Sequence, residues 1–287
     1  MSNNIRIIGR LDVKGPNLVK GIKLEGLRAF GDPSKFAELY YENNIDEIFY
    51  QDVVASLYNR NNLFDIVEKT TKNVFIPVTV SGGLKSLDDF TKALESGADK
   101  IAFNTAAIKN PDLINKAAEK FGSSTIIISI EVIKYENEYL AFTDNGREFT
   151  GKNAINWARE VEKRGAGEIL LTSVDKDGTG EGFDLELIKK ISKEIKIPLI
   201  AHGGGGKKEH LLEAVQSGAN ALALASILHY NLILNNKKNS LLINQNELEG
   251  NFEFIKKNFS YKAFGNENIK SLKDFLHSKK LEVRIDK

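Results

Sequence analysis

Two carboxylates are placed to do chemistry. Asp12 closes the apolar, β-branched run Arg6–Asp12, and Glu131 closes the similar run Thr125–Glu131. Carboxylates at the ends of two strands serve as general acid and general base when the fold holds them on opposite sides of one ligand. The plainer reading, in which they cap helices or pair with Lys20 or Lys134, stays open for the two residues taken alone. The glycines add weight to the catalytic reading. Ser81-Gly82-Gly83 follows one short apolar run and is joined by Asn104-Thr105. Gly203–Gly206 follows another and is joined by Ala225-Ser226. Glycine lets backbone N–H groups approach a phosphate closely, a following helix adds its positive end, and the Thr105 and Ser226 hydroxyls can donate. One Gly-Gly is only a tight turn, whereas two sets predict an elongated ligand with a phosphate at each end. Asp177-Gly178, in DKDGTG, can cap a turn or bind a ligand hydroxyl, and Lys20, in NLVKG, can hold a loop over the ligand. Asp52 is a third strand-end carboxylate, not separable here from structural pairing. The run Gly203–Lys207 is not a P-loop, because no Ser or Thr follows the lysine. His202, His210, His229 and His277 are too scattered for a metal-ligand set, so no metal site and no cofactor is expected.

The elements that must position these residues alternate. Strands are predicted at Arg6–Asp12, Glu47–Asp52, Pro77–Val80, Lys100–Asn104, Thr125–Glu131, Glu168–Ser173, Pro198–Ala201 and Ala221–Ala225. Amphipathic stretches such as Pro33–Asn43, Leu87–Ser96, Ala154–Lys163 and Lys208–Ser217 follow them. Eight strand–helix units predict an α/β fold, a single (β/α)8 TIM barrel over residues 1–287, a usual length for that architecture. The second half repeats the first. Asp46-Glu47-Ile48 returns as Gly167-Glu168-Ile169, Ile76-Pro77 as Ile197-Pro198, Gly82-Gly83 as Gly203-Gly204, and Gly97-Ala98 as Gly218-Ala219, each 121 residues on. The chain therefore reads as two half-barrels of four strands. In such a barrel strands one and five face each other, which sets Asp12 against Glu131 between the two glycine cradles. Residues 235–268, rich in Asn, Lys and Glu, read as an insertion before a final helix near Ile269–Lys280. It is equally a lid, a partner contact or a solvated excursion.

Arg6, Glu47, Lys100 and Glu168 begin strands one, two, four and six. Strand side chains alternate, so Arg6 shares a face with Asp12, and Lys100 with Asn104. If the upper residues point inward, two cations and two anions close the barrel floor as a salt-bridged ring, either a plug or a gate. With 40 basic and 39 acidic residues the net charge is +1, which argues against a nucleic-acid or membrane-surface partner. There is no cysteine, so thiolate metal sites, disulfides and a cysteine nucleophile are excluded. No signal peptide and no apolar run long enough for a bilayer is read, so a cytoplasmic location is expected.

Several motifs together resemble the cyclase subunit (HisF family) of imidazole glycerol phosphate synthase: LDVKG at Asp12, GDP at Gly31–Pro33, GADK at Gly97–Lys100, FNTAA at Phe103–Ala107 and GAGEILLTSVDKDGT at Gly165–Thr179. The likeness runs from about Ile5 to Ser226 and resumes in the last helix. It implies a lyase of histidine biosynthesis that depends on a glutaminase subunit docked at the bottom face. Ammonia would pass a gate formed by Arg6, Glu47, Lys100 and Glu168 and travel up the barrel. At the top it would meet a bisphosphorylated aminoimidazole-carboxamide ribonucleotide, giving imidazole glycerol phosphate and an aminoimidazole ribonucleotide. Asp12 matches the family's first catalytic aspartate. Four positions depart from the pattern: Glu131 stands where aspartate is usual, His202 for serine, Arg10 for a small or apolar residue, and Ala102 for serine. All four lie towards the ligand end, whereas the gate matches. The resemblance therefore extends to a second reading, a paralogue that channels glutaminase-derived ammonia for amidation of a surface-polysaccharide sugar, without cyclase activity. A third, a sister-family isomerase, needs no floor gate.

Overall fold

The computed structural model describes residues 4–55, 63–235, 264 and 266–285. Among the described residues, twelve strands form one sheet: β1 (Arg6–Lys14), β2 (Asn17–Ile22), β3 (Glu25–Gly31), β4 (Glu47–Asp52), β5 (Val78–Ser81), β6 (Lys100–Phe103), β7 (Ile126–Tyr135), β8 (Glu138–Thr143), β9 (Glu148–Asn153), β10 (Glu168–Ser173), β11 (Leu199–His202) and β12 (Ala221–Leu224). Eight of them are parallel and close in the order β1-β4-β5-β6-β7-β10-β11-β12, with β12 back on β1. Helices α1 (Pro33–Glu42), α2 (Leu63–Thr71), α3 (Leu87–Glu95), α4 (Thr105–Lys109), α5 (Asp112–Phe121), α6 (Ala154–Lys163), α7 (Leu185–Ser192), α8 (Lys208–Gln216), α9 (Ser226–Asn235) and α10 (Ile269–Ser278) surround them. This is the (β/α)8 barrel expected from the alternation of elements.

Side-chain alternation splits the core in two. On β1, Ile7, Leu11 and Val13 face the helices. Ile8 instead joins Phe49, Ala102, Ile127, Leu170, Ile200, Ala221 and Ala223 in a separate apolar layer inside the barrel. Burying one such large side chain stabilises by roughly 1.5–3 kcal/mol. The half-barrel repeat is physical as well as textual. The Val78 N–H donates to Asp99 Oδ2 at 2.8 Å, and 121 residues on, the Leu199 N–H donates to Asn220 Oδ1 at 2.9 Å. Gly82 and Gly203 hold φ of 98° and 96°. A methyl group added at either would strike the carbonyl of the neighbouring strand's loop, Asp52 in one half and Ser173 in the other.

Two features were not anticipated. β1 and β7 run past Asp12 and Glu131 because each pairs with an antiparallel ribbon, β2–β3 after β1 and β8–β9 after β7. The segment after β12 is helix α9, SILHYNLILN, which buries Ile227, Leu228, His229 and Tyr230 and so lacks an amphipathic signature. Of the insertion expected at 235–268, residues 236–263 and 265 lie outside the described residues. Its end leads into α10, where Asn268 caps the helix in a reciprocal pair with Ser271. Among the described residues no helix is long and apolar enough to cross a membrane.

Candidate active site

The pairing register makes β1 and β7 equivalent. Ile8 lies beside Glu47 as Ile127 lies beside Glu168, so Arg10 answers Ser129 and Asp12 answers Glu131. β1 and β7 are four strands apart either way around the barrel, so the two carboxylates face each other.

Their surroundings differ. Asp12 Oδ1 accepts from Arg10 Nε at 2.8 Å, and Oδ2 from Lys20 Nζ at 3.0 Å. The same ammonium donates to both oxygens of Asp177, at 2.9 and 2.7 Å. All four side chains are buried. Burial alone would raise the Asp12 carboxyl, but Arg10 and Lys20 outweigh it and hold the group at about 2. Asp177 is driven down in the same way against its burial, chiefly by Lys20. His202 Nδ1 lies 2.9 Å from the Ala223 carbonyl and must carry the proton there. Its Nε2 lies 3.1 Å from Asp177 Oδ1; burial and Arg10 lower the pKa of the ring, and Asp177 opposes them. Glu131 has no such cations in contact. One oxygen accepts the Gly146 N–H at 2.9 Å, and burial pushes the carboxyl up to about 7.

The two glycine cradles also differ. The first opens into a cavity of about 390 Å³ lined by Ser81, Gly82, Gly83, Asn104, Thr105 and Glu131 among others. Asn104 donates to the Phe142 carbonyl at 2.9 Å, and its own carbonyl is buried and unpaired; Ser129 Oγ is likewise buried and unpaired. Asp52 belongs to the turn, accepting the Val54 and Ala55 N–H groups at 2.9 and 2.8 Å. The second cradle, with Gly178, Gly203, Gly204, Ala225 and Ser226, encloses about 10 Å³ and is also lined by His202, Lys20 and Phe264. Sharing Lys20, Gly178 and Ser226 with it, a hollow of about 320 Å³ extends to β2–β3. Lys20, expected to hold a loop over the ligand, lies between Asp12 and Asp177, which it bonds at 3.0 and 2.7 Å.

Each ribbon walls the other half's cradle. β8–β9 places Asp144 and Asn145 on the first cavity, with Asn145 donating to the Val53 carbonyl at 2.7 Å. β2–β3 places Lys20 on the second, and the Lys23 N–H donates to the Asp177 carbonyl at 2.8 Å. Gln51, Ser129, Asp144 and Asn145 line the site and were not singled out from sequence. Asp144-Asn145-Gly146, with three consecutive positive φ values, was the available signal, since Asn-Gly between alternating runs marks a hairpin.

At the other end the four ring residues meet. Arg6 bonds Glu47 at 2.7 Å and Glu168 at 2.6 Å, and Lys100 bonds Glu168 at 2.6 Å and reaches Glu47 at 3.5 Å. Above this ring lies the apolar layer around Ile8 and Phe49.

Two half-barrels with paired glycine turns and opposed carboxylates at the mouth define the class as a two-fold repeated (β/α)8 barrel. The chain belongs to the histidine biosynthesis protein family, whose model matches residues 6–233. It is 56% identical over 208 residues to the imidazole glycerol phosphate synthase subunit HisF of Legionella pneumophila, covering 72% of this chain and 98% of that protein. It is 48% identical over 246 residues to the HisF subunit of Methanocaldococcus jannaschii, covering 78% and 90%. The HisF subunit of Thermococcus onnurineus is 47% identical over 226 residues, covering 78% and 89%.

Proposed function

We propose that the chain is the cyclase subunit of an imidazole glycerol phosphate synthase in histidine biosynthesis. Its substrate is a bisphosphorylated aminoimidazole-carboxamide ribonucleotide, which reacts with ammonia to give imidazole glycerol phosphate and an aminoimidazole ribonucleotide. The observation that carries this reading is the facing of Asp12 and Glu131 between Gly82-Gly83 and Gly203-Gly204, in a chain close to named subunits of that synthase over most of its length.

The residues divide the work. Gly82, Gly83, Asn104 and Thr105 receive one phosphate. Gly178, Gly203, Gly204, Ala225 and Ser226, with Lys20 and Asp177 beside them, receive the other. Glu131, ionising near neutrality, passes the proton as ammonia attacks and the ring closes. Asp12 opposes it as a fixed anion that steadies developing positive charge. A glutaminase subunit docks at the bottom face, and the ring of Arg6, Glu47, Lys100 and Glu168 admits its ammonia to the apolar lumen. The lack of cysteine supports this dependence, since the chain has no thiol with which to hydrolyse glutamine itself. The reaction belongs in the cytoplasm.

The test is turnover of the ribonucleotide by the purified chain with ammonium chloride. Cyclisation is expected and is abolished by Asp12→Asn. Absence of cyclisation at high ammonium, in a chain that still activates a glutaminase, would make it an ammonia-conducting subunit instead.

A further inference from the structure

We propose that Arg10 is a positioning residue that makes the two opposed carboxylates unequal, fixing Asp12 as an anion and leaving Glu131 as the proton carrier of the mouth. The inference rests on the reading that Asp12 and Glu131 face one ligand. The molecule contains its own control for it. Two residues before each carboxylate, on the same face of its strand, the halves differ: Arg10 below Asp12 and Ser129 below Glu131.

The guanidinium is buried and held from both sides of the barrel. Nε donates to Asp12 Oδ1 at 2.8 Å and Nη1 to Thr172 Oγ1, across on β10, at 3.3 Å. The head lies 6.0 Å from the centre of the Phe49 ring, on top of the apolar layer. It is the charge nearest the base of Asp12, and an arginine there keeps its proton at any working pH. Ser129 Oγ is neutral, buried and without a partner, so it gives Glu131 no comparable hold. The groups around Asp12 are Arg10 on β1, Lys20 on β2, Asp177 in the loop after β10, His202 on β11 and, further off, His229 on α9. Those around Glu131 are Arg10, Asp144 and Asn104. Asp12 therefore has a cation on each oxygen, while Glu131 has one oxygen on a backbone N–H.

The experiment is carboxyl-carbon NMR titration of the full chain, from about pH 4 to about pH 9, in wild type and in Arg10→Ser, which makes the first half like the second. In wild type Glu131 titrates, assigned by the signal lost in Glu131→Gln, and Asp12 is silent. In Arg10→Ser the Asp12 signal moves into the window, and Arg10→Lys silences it again. The pH dependence of ammonium-driven kcat, corrected for free ammonia, follows one ionisation in wild type and two in Arg10→Ser. An Asp12 that titrates in wild type, or stays silent in Arg10→Ser, overturns the proposal. If Arg10→Ser does not fold, Lys20→Met decides. Asp12 still silent there supports Arg10 as the lock, and Asp12 titrating there assigns the lock to Lys20. A wild-type chain that titrates as expected but cyclises nothing would defeat the cyclase reading and leave the division of the carboxylates standing.

Discussion

The two ends of the mouth share a backbone and differ in what occupies it. At Gly82 and Gly203 the chain makes the same turn, with nearly the same φ and the same close approach to a neighbouring carbonyl. Yet the first cradle opens directly into about 390 Å³, whereas the second encloses about 10 Å³ and borders, through Lys20, Gly178 and Ser226, a hollow of about 320 Å³. The difference lies in side chains. Where the first half has Ser81, the second has His202, and the ammonium of Lys20 is drawn in by Asp12 and Asp177. Repetition set the geometry, and substitution left the first half one open space and divided the space of the second.

The largest expected effect breaks the comparison at the carboxylates. Glu131→Gln removes the group that titrates near neutrality and should lower ammonium-driven turnover by about 10²- to 10⁴-fold, measured at saturating ribonucleotide. It also changes stability with a definite sign. The buried carboxyl is raised from 4.5 to about 7, so between those values the folded chain holds a proton that the unfolded chain has released. Wild-type stability should therefore fall as pH rises through that window. In Glu131→Gln this fall should vanish, a gain on the order of 3 kcal/mol at the alkaline end, read by urea unfolding at several pH values. A parallel pH dependence in both proteins would show that Glu131 ionises normally.

Lys20→Met tests the lock. It leaves buried Asp177 without its lysine and Asp12 with Arg10, and should cost about 3–5 kcal/mol, seen as a drop in Tm. An unchanged Tm would mean that the ammonium is not the tie between the halves. A smaller loss, about 1–3 kcal/mol, is expected at the floor for Glu168→Gln, because the ring is partly hydrated. There the sharper readout is the ratio of glutamine-driven to ammonium-driven turnover in the complex. It should change if the ring is the portal and stay constant if it is a plug. The smallest effect belongs to the exchange His202→Ser, which gives the second cradle the residue of the first. Phosphate-ligand affinity should change by about 1 kcal/mol or less, read by calorimetry, while the reciprocal Ser81→His should weaken it by filling the open cavity.

Much of this was legible in the residues. The β-branched runs gave the eight strands to within a residue or two at most ends, since burial on both faces leaves parallel strands little choice of side chain. The recurrence of Gly-Gly and Ile-Pro at one spacing exposed the half-barrels, and alternation from Asp12 back to Arg6 placed the floor ring. The ribbons were not legible. β9 reads EFTGKN, half exposed and without clean alternation, and its partner depends on an Asn-Gly turn that went unread. The inequality of the cradles was hidden for a different reason. Whether a lysine reaches out or folds back depends on which carboxylates the barrel brings within 3 Å, and Asp177 is far from Lys20 along the chain.

The hairpin β8–β9 has a wider consequence. From one short stretch it touches three walls of the open cavity: Val53 through Asn145, Asn104 through the Phe142 carbonyl, and Glu131 through the Gly146 N–H. The aperture of the receptacle is thus governed by a detachable trim piece, while the staves of the barrel stay as they are. A lineage could retailor what enters by editing a handful of codons between Tyr135 and Asn153, leaving the eight-strand frame untouched.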